Sequence, residues 1–403
     1  MAARPLPLLS EYLTKMQKEL KRVMDFWLRH SHDEERGGFL VSLTRDGKVY
    51  DTVKYGWLQG RQVWMYCKLY NETEEYHTDQ VLQAAIDGAK FLKEFFYRSE
   101  DNRCYFTVTR EGLPIYLQRT MATEAFYVIA MAELSRATKQ QHYMDEAEKV
   151  LSSMLHWARV DDSQLGRPYL AGSPPINSMV IPMLVFNVVH EVCGTDEKLA
   201  AKYREHTDWA AEQTLAHVQR GGTVVLENVS ISGEELGGCK GRHINPGHAI
   251  EAGWFLLQHA SLTNKQHLKR VAIETFMLRS FERGWDEKDG GIFYFLDVDG
   301  YSPTALEWNM KLWWPHCEAL IAFLMAYQET GEAKLLEQFG RVFDYTFSHF
   351  VDEDHGEWFG YLNRDSTVSM DFKGGPYKGE EQTNVCLQVA SMFQDVYITA
   401  SRY

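Results

Sequence analysis

Apolar residues recur every three or four positions near the start of the chain. The stripe consists of Leu9, Tyr12, Leu13, Met16, Leu20, Val23, Met24, Trp27 and Leu28. Such spacing places the side chains on one face of a helix. Ile250, Trp254, Phe255 and Leu257 follow the same spacing much later in the chain. The pattern therefore predicts amphipathic helices in both regions.

A second pattern, a short aromatic segment followed by a glycine-containing turn, recurs between the helical stretches. The turn centres fall near residues 47, 112, 170, 232, 300 and 366, the copies at 167–172 and 224–233 being weaker. A turn of this kind between alternating apolar residues indicates a β-hairpin. The interval of roughly 60 to 65 residues has room for two helices of ordinary length.

Six copies of a hairpin with two helices predict twelve helices in six pairs. Each pair buries only one face, so neighbouring pairs must stack. Six pairs can close into an α6/α6 toroid, an all-α barrel with inner and outer helices and short hairpins at its mouth. We expect residues 1–403 to form this barrel as one domain. An open solenoid is the alternative, but no polar capping repeat is evident.

The net charge argues against one class of partner, and the aromatic content is compatible with a sugar-binding protein. A net charge of −14 argues against a nucleic-acid partner, whose phosphates repel an acidic surface. The 11 Trp and 21 Tyr residues fit either a large core or a cleft in which aromatic rings stack on sugars.

Cysteine spacing and hydropathy bear on localisation. The six cysteines form no C-x-x-C pair, which favours reduced thiols in the cytoplasm. The longest apolar stretch, 179–189, is interrupted by Pro182 and Asn187, so no membrane-spanning segment is expected. The first residues are too short and proline-broken for a signal peptide.

In the predicted ring each hairpin precedes an inner helix, so the starts of the inner helices meet at one mouth. Polar residues occupy these starts, at 60–62, 123–124, 177–178, 245–248, 314–318 and 378–382. Their convergence predicts a functional cavity.

The start of the helix at residue 245 carries a candidate general base. Asn245 suits an N-cap, and Pro246 suits the first helical position. His248 then lies in the first turn, where the helix dipole favours the neutral imidazole that a base requires. Glu251 shares its face and could orient the ring or bind substrate. A structural or capping histidine is the alternative.

Other helix starts supply candidate substrate contacts. Arg61 could stabilise a developing oxyanion, unless it faces outward. Trp314 could stack on a sugar, and Glu318 could hydrogen-bond a hydroxyl or hold an arginine. Glu124 and His316 occupy corresponding positions and are predicted to bind substrate.

No metal site and no nucleotide-consuming site is predicted. The chain lacks an H-E-x-x-H sequence, and His243 and His248 are spaced poorly for one helical face. Phosphate-loop and dinucleotide fingerprints are absent as well.

Several long motifs resemble the N-acylglucosamine 2-epimerase family, also called the renin-binding protein family. They are KYGWLQGRQVW from Lys54, NPGHAIEAGW from Asn245, EWNMKLWWPHCEA from Glu307, EWFGYLN from Glu357 and KGGPYKG from Lys373. The resemblance covers roughly residues 10 to 379.

The resemblance implies interconversion of N-acetylglucosamine and N-acetylmannosamine, a step of amino-sugar and sialic acid metabolism. It also implies an α6/α6 barrel, activation by ATP or another nucleotide that is not consumed, a homodimer and a link to renin. Family members use two histidines as acid–base groups, and His248 matches one of them. Arg61 matches the oxyanion-binding arginine, while Glu251 and Glu318 match carboxylates of the family's site.

The second family histidine is missing. The family continues with Phe-His-Val-Pro-Arg, but here Gln382 stands at the histidine position and Val385 at the arginine position. Glutamine cannot act as a base at neutral pH. Glu380 or Glu381 could replace it if the backbone turns one of them inward.

Two other functions stay open at this level. The loss of the second histidine fits a non-catalytic scaffold of the renin-binding type. A glycoside hydrolase could use two carboxylates from Glu124, Glu251 and Glu318 on the same barrel.

Overall fold

Helices in two concentric layers form the framework of the protein, whose computed structural model describes residues 6–168 and 170–400. The inner helices span Gly56–Glu72, Ala122–Thr138, Val180–Cys193, Pro246–Leu262, Trp313–Thr330 and Glu381–Ala400. The outer layer comprises Leu6–His30, Asp79–Phe91, Gln141–Arg159, Glu197–Leu215, the consecutive segments Gln266–Val271, Ala272–Arg279 and Ser280–Gly284, and Ala333–His349. Inner and outer helices alternate along the sequence.

The inner helices close into a ring. Each contacts the next in order, and the last, Glu381–Ala400, packs against the first, Gly56–Glu72. One hydrophobic cluster runs through both layers from Leu9 to Phe393. The predicted α6/α6 toroid is therefore confirmed, and the open solenoid is wrong.

The outer helix Leu6–His30 shows why the apolar spacing was informative. Met16, Val23, Met24 and Trp27 are completely buried on its inner face, as the stripe predicted. Inner helices have neighbours on nearly every side, so their apolar residues spread around the helix and leave no clear stripe.

Short antiparallel strands cover the mouth of the ring. They are Ser42–Leu43, Val49–Asp51, Lys54–Tyr55, Tyr97–Arg98, Arg103–Cys104, Thr107–Val108, Pro114–Tyr116, Ile176–Ser178, Val218–Gln219, Val224–Val225, Asn228–Ser230, His243–Ile244, Leu296–Asp297, Lys311–Leu312, Tyr361–Leu362 and Val368–Met370. Turns with positive φ lie at Gly47, Gly112, Gly233 and Gly300, close to four predicted centres. Near the centre at 366, Ser366 itself has φ of 68°.

The predicted third hairpin does not form. Among the described residues from 160 to 175 there is no strand. Ile176–Ser178 instead pairs with Asn228–Ser230 of the following repeat. The sequence signal at Arg167–Gly172 was a weak one, and turn residues alone do not specify a strand partner.

Pairing between successive repeats links the hairpins around the mouth. Lys54–Tyr55 pairs with Thr107–Val108, and Lys311–Leu312 pairs with Tyr361–Leu362. His243–Ile244 pairs with Leu296–Asp297 in the same way. Each time, the strand that leads into an inner helix binds the next hairpin. Backbone hydrogen bonds between Leu43 and the 373–374 segment join the last repeat to the first.

Three buried ion clusters reinforce these links. In each, an aspartate that precedes one hairpin binds a buried lysine that follows the hairpin and an arginine from the turn of the next hairpin. The clusters are Asp33 with Lys54 and Arg110, Asp286 with Lys311 and Arg364, and Asp352 with Lys373 and Arg45. The mouth is therefore fixed by charge pairs as well as by backbone pairing.

All six cysteines are free thiols, which agrees with the expectation from their spacing, and only Cys239 is exposed. Among the helices of the described chain, none combines the length and the apolar character that a bilayer crossing requires.

Candidate active site

A cavity of about 790 Å³ opens where the inner helices begin. Its lining residues are Trp57, Arg61, His248, Glu251, Tyr294, Glu307, Met310, Leu312, Trp313, Trp314, Cys317, Glu318, Tyr361, Met370, Tyr377, Asn384 and Val385. The structure thus brings together five predicted residues from three inner helices: Arg61, His248, Glu251, Trp314 and Glu318.

A second space of about 330 Å³, the side chamber, adjoins this cavity. The two share Trp57, Arg61, His248, Glu251 and Tyr377. The side chamber alone is lined by Phe106, Gln118, Ala122, Phe126, Val180, Met183, Leu184, Asn187 and Phe255.

The local sequence holds His248 at the first turn of its helix, as predicted. The Asn245 side chain accepts a hydrogen bond from the His248 backbone N–H at 3.1 Å, and Pro246 occupies the first turn. Gly247 lies so close to Trp314 that an added Cβ would sit 2.6 Å from its ring. Only glycine lets that ring approach the imidazole, with the two ring centroids 5.1 Å apart.

The orientation of the His248 ring is set by Glu227, a residue that precedes the strand Asn228–Ser230. Nδ1 of His248 lies 3.0 Å from Oε1 of Glu227. A carboxylate only accepts hydrogen bonds, so Nδ1 carries the hydrogen and Nε2 is left to exchange a proton.

The pKa of His248 differs from the sequence-based expectation. Burial alone would lower this pKa, but the charges of Glu227, Glu251 and Glu318 and the Glu227 hydrogen bond raise it to about 8. The predicted preference for neutral imidazole at the helix N-terminus was wrong, because nearby carboxylates outweigh the helix dipole.

Two carboxyl groups complete this side of the cavity. Trp254 Nε1 donates a hydrogen bond of 2.8 Å to Glu318 Oε2. Burial, followed by the charge of Glu251, raises the pKa of Glu318 to about 8. Burial also raises the pKa of Glu251, against the opposing effects of His248 and Arg61. Burial thus shifts both carboxyl groups toward the protonated form, in which a carboxyl can donate a hydrogen bond.

Arg61 projects into the cavity between two aromatic rings. Its guanidinium carbon lies 4.7 Å from the ring centroid of Phe126 and 5.7 Å from that of Trp57. Burial lowers the pKa of Arg61, and the charges of Glu380, Glu318 and Glu251 act in the opposite direction. The cation is thus held at the boundary between the cavity and the side chamber.

The structure places Glu124 and His316 away from the cavity, contrary to the predicted substrate contacts. Glu124 is 1% exposed and accepts hydrogen bonds from Arg103 Nε at 2.7 Å and from the Cys104 backbone. His316 is completely buried, with Nε2 2.9 Å from the Ile292 backbone N–H and Nδ1 2.6 Å from the Leu312 carbonyl. Both side chains stabilise hairpins, a role that their position in the repeat did not distinguish from binding.

Gln382, at the position of the missing base, is not among the residues that line the cavity. It is completely buried, and its amide donates to Glu357 Oε1 at 2.9 Å and accepts from Trp313 Nε1 at 3.0 Å. Trp313 itself lines the cavity. Gln382 therefore lies directly behind Trp313 in the cavity wall.

The neighbours of Gln382 do not supply an evident base. Asn384 and Val385 line the cavity, and neither side chain titrates. Glu380 is 1% exposed and is absent from the cavity wall, although burial raises its pKa to about 7. The side chain of Glu381 lies outside the described residues.

Sequence reasoning missed Glu227. No spacing rule connects it with His248, because strand pairing brings the two together. The Glu227 backbone N–H donates to the His243 carbonyl at 2.9 Å, and its carbonyl accepts from Met179 at 3.0 Å. A carboxylate just before a predicted hairpin strand was the only available signal.

Solved structures with this architecture include sugar epimerases and isomerases. The cellobiose 2-epimerase of Spirochaeta thermophila matches with a TM-score of 0.81 and 21% identity, covering 97% of this chain and 98% of that one. A D-mannose isomerase matches with a TM-score of 0.80 and 16% identity, covering 94% and 97% of the two chains. At this identity the likeness establishes the fold alone.

Sequence comparison assigns the chain to a family and finds relatives of much higher identity than these structures. The family model described as N-acylglucosamine 2-epimerase matches residues 37–378. The N-acylglucosamine 2-epimerase of Bos taurus is 51% identical over 374 residues, covering 93% of this chain and 89% of the relative. The human enzyme of the same name is 49% identical over 380 residues, covering 94% and 89%. The fold and these matches define a carbohydrate epimerase.

The chain belongs to the N-acylglucosamine 2-epimerase family. The family model ends at residue 378, directly before the segment that departs from the family motif.

Proposed function

We propose that the protein interconverts N-acetylglucosamine and N-acetylmannosamine by removing and returning the proton at carbon 2. The observation that carries this proposal is His248, which faces the cavity with Nδ1 bound to Glu227 and Nε2 left for proton exchange. Carbon 2 of the opened sugar is adjacent to an aldehyde, so loss of its proton gives an enolate.

The residues around His248 offer groups that could stabilise this enolate and bind the rest of the sugar. Arg61, held between Trp57 and Phe126, offers a cation to the oxygen that gains charge. Glu318, whose pKa is raised by burial and by the charge of Glu251, lies in the same wall and can hydrogen-bond a sugar hydroxyl. Trp314, beside the imidazole, offers an aromatic face to the sugar ring.

Inversion also requires a proton on the opposite face of carbon 2. Gln382 cannot supply it, since an amide does not titrate and this one is buried against Trp313 and Glu357. We assign this step to water within the cavity. The hydroxide that this water leaves takes the proton held by His248, so each inversion takes up one solvent hydrogen and restores the neutral base, and turnover is slow.

Exchange in deuterium oxide tests the proposal. Purified protein is incubated with N-acetylmannosamine, and carbon 2 is followed by proton NMR. We expect loss of the carbon-2 proton signal and appearance of N-acetylglucosamine, both abolished by His248→Asn. The matched control is His243→Asn, because His243 lies near Glu227 but does not line the cavity. Protonated product, or unchanged exchange in His248→Asn, would refute the mechanism.

The lack of a titratable group at Gln382 supports a second candidate function, in which the protein binds a sugar without converting it. The same cavity would then hold an amino sugar and leave carbon 2 untouched. Saturable binding of N-acetylmannosamine by calorimetry, with no deuterium at carbon 2 after prolonged incubation, would support this alternative. Renin binding on such a scaffold is tested separately, by adding purified renin to the calorimetric cell.

Nucleotide activation, homodimer formation and a role in sialic acid metabolism belong to the same proposal and rest on the family resemblance. Exchange rates measured with and without ATP test activation, and unchanged ATP after the reaction would show that it is not consumed. Light scattering of the purified protein tests for a dimer.

A further inference from the structure

The two faces of the proposed enolate have unequal proton donors. His248 serves one face through Nε2, while on the other face the amide of Gln382 is buried against Trp313 and Glu357. Water must return the proton there, because an amide does not titrate. The enolate therefore persists for longer than it would beside a second imidazole, and any other reaction open to it competes with protonation.

The hydroxyl on carbon 3 is the group through which the enolate can react further. The proposed function places carbon 2 at His248 and the aldehyde oxygen at Arg61, which borders both the main cavity and the side chamber. The main cavity, about 790 Å³ against about 330 Å³ for the side chamber, is the larger space and has room for carbons 3 to 6. Glu307 and Glu318 line this cavity and not the side chamber, so their carboxyl groups lie on the carbon-3 side.

Glu318 is the better placed of these two to act as an acid. Trp254 Nε1 donates to its Oε2 at 2.8 Å, while Oε1 has no hydrogen-bond partner among the residues that the structure describes. Because Oε2 already accepts a hydrogen bond, the hydrogen of the neutral carboxyl resides on Oε1. Burial and the charge of Glu251 favour this neutral form. Glu307, in contrast, is exposed to solvent.

We infer that the site also removes water across carbons 2 and 3 of N-acetylmannosamine, with Glu318 as the acid that protonates the departing hydroxyl. This inference rests on the proposed function, because both reactions pass through the same enolate. His248 takes the proton from carbon 2, and the electron pair of that bond enters the enolate. The pair then forms the double bond between carbons 2 and 3 as the bond between carbon 3 and its oxygen breaks. The hydroxyl takes the Glu318 proton and leaves as water.

The elimination balances without an oxidant or a reductant. At its end His248 holds the proton from carbon 2, and Glu318 is a carboxylate. Water in the cavity carries that proton from the imidazole to the carboxylate, which restores both groups. The products are one water molecule and an acylamino sugar with a double bond between carbons 2 and 3.

Mass spectrometry of a reaction in deuterium oxide measures how the enolate divides between the two reactions. Protonation at carbon 2 gives sugar that has gained one deuterium, and elimination gives sugar that has lost one water. Proton NMR identifies the second product by a vinylic proton on carbon 3. We expect wild-type protein to form both from N-acetylmannosamine, at rates well above those without protein. His248→Asn should form neither above that background.

Two variants should lower the ratio of dehydrated to deuterated sugar. Glu318→Gln keeps the shape of the side chain but has no acidic proton, and we expect a fall of about tenfold or more. Glu307→Gln is the matched control and should leave the ratio unchanged. The double variant Gln382→His, Val385→Arg supplies a second proton donor, so the enolate is protonated before the hydroxyl leaves, and a fall of about tenfold is again expected. This variant tests the inference even if Glu318→Gln does not fold.

Each outcome separates the elimination from the proposed function. Deuterated sugar without dehydrated sugar retains the epimerase function and removes the elimination, whereas absence of both products removes both. An unchanged ratio in folded Glu318→Gln contradicts the assignment of the acid. N-Acetyl-3-deoxymannosamine, which has no hydroxyl on carbon 3, should gain deuterium without losing water. Loss of water from this sugar would show that another hydroxyl departs and would overturn the inference.

Discussion

Arg45 and Asp352 form a bidentate ion pair that joins the first hairpin to the last. The two residues are 307 positions apart in the sequence. Arg45 Nε lies 2.7 Å from Asp352 Oδ2, and Nη2 lies 2.9 Å from Oδ1. The same carboxylate is 2.8 Å from Nζ of Lys373, whose side chain is completely buried. Closure of the ring therefore depends on charge at one position as well as on helix packing.

Removing that charge should destabilise the protein. Asp352→Asn leaves the buried ammonium of Lys373 without its anion, and we expect a loss of about 3 kcal/mol in the free energy of unfolding, measured with urea. Asp354→Asn is the matched control, because Asp354 contacts the same Arg45 at 3.6 Å but is exposed. A loss below about 0.5 kcal/mol is expected there. Equal effects of the two variants would contradict the role of the buried cluster.

The same cluster predicts the direction of the pH dependence. Burial would raise the pKa of Asp352, but hydrogen bonds and charges from Arg45 and Lys373 hold it well below its usual range. A carboxyl whose pKa is depressed by folding stabilises the protein above its unfolded pKa, and this contribution disappears as pH falls toward the folded pKa. Urea midpoints measured between pH 5 and pH 3, roughly spanning the ordinary pKa of aspartate, should therefore fall more steeply for wild type than for Asp352→Asn. If the urea midpoints of the two proteins fall in parallel with pH, Asp352 is not the group responsible.

The pH dependence of deuterium exchange should follow His248. The base must be neutral, so the rate should rise with pH and level off near the pKa of about 8. Glu227→Gln removes the charge that most strongly raises this pKa, and the midpoint should move to lower pH. Glu307→Gln, which alters another carboxylate of the cavity wall, should leave the midpoint in place. An unmoved midpoint in Glu227→Gln would mean that another group titrates.

Restoring the family residues should accelerate inversion. In the double variant Gln382→His, Val385→Arg, an imidazole replaces the buried amide and a cation enters the cavity wall at Val385. General acid–base catalysis contributes on the order of a hundredfold or more, so at least a tenfold rise in the epimerisation rate is expected. The control pair Gln382→Leu, Val385→Arg supplies the cation without the imidazole and should not show the rise. No difference between the pairs would place the second proton donor elsewhere.

Arg61 is expected to act through its geometry as well as its charge. Arg61→Lys keeps a cation but loses the planar group held between Trp57 and Phe126, and we expect about a hundredfold slower exchange. Arg341→Lys is a suitable control, since Arg341 also stacks on an aromatic ring, that of Trp285 at 4.5 Å, on an outer helix. Exchange in Arg61→Lys within twofold of wild type would exclude a specific role for the guanidinium.

Much of the ring could be predicted because the sequence patterns that specify its helices involve residues close together in the chain. Apolar spacing along Leu6–His30 and the cap at Asn245 depend on neighbouring residues, and both predictions were confirmed. The partner of Ile176–Ser178 could not be predicted, since pairing depends on residues some fifty positions away.

The candidate site was predictable only in part for the same reason. His248 and Glu318 were found from their places in the repeat, but the same rule wrongly selected His316 and Glu124. Whether a polar side chain at a helix start turns to the cavity or to a hairpin depends on packing between repeats. The Glu227 contact, which sets the ring orientation and raises the pKa of His248, arises from that packing as well.

One junction of the mouth, between the second hairpin and the segment 160–175, has no strand pairing among the residues that the structure describes. Backbone hydrogen bonds hold every other junction, whereas this one is joined by arginine side chains. Arg103 donates to the Gln164 carbonyl at 3.1 Å, and Arg167 donates to the Arg119 carbonyl at 2.8 Å. Gln118, on its edge, lines the side chamber. The wall of the side chamber at this sector therefore depends on two guanidinium groups, whereas His248 and Arg61 are carried by helices of the closed ring.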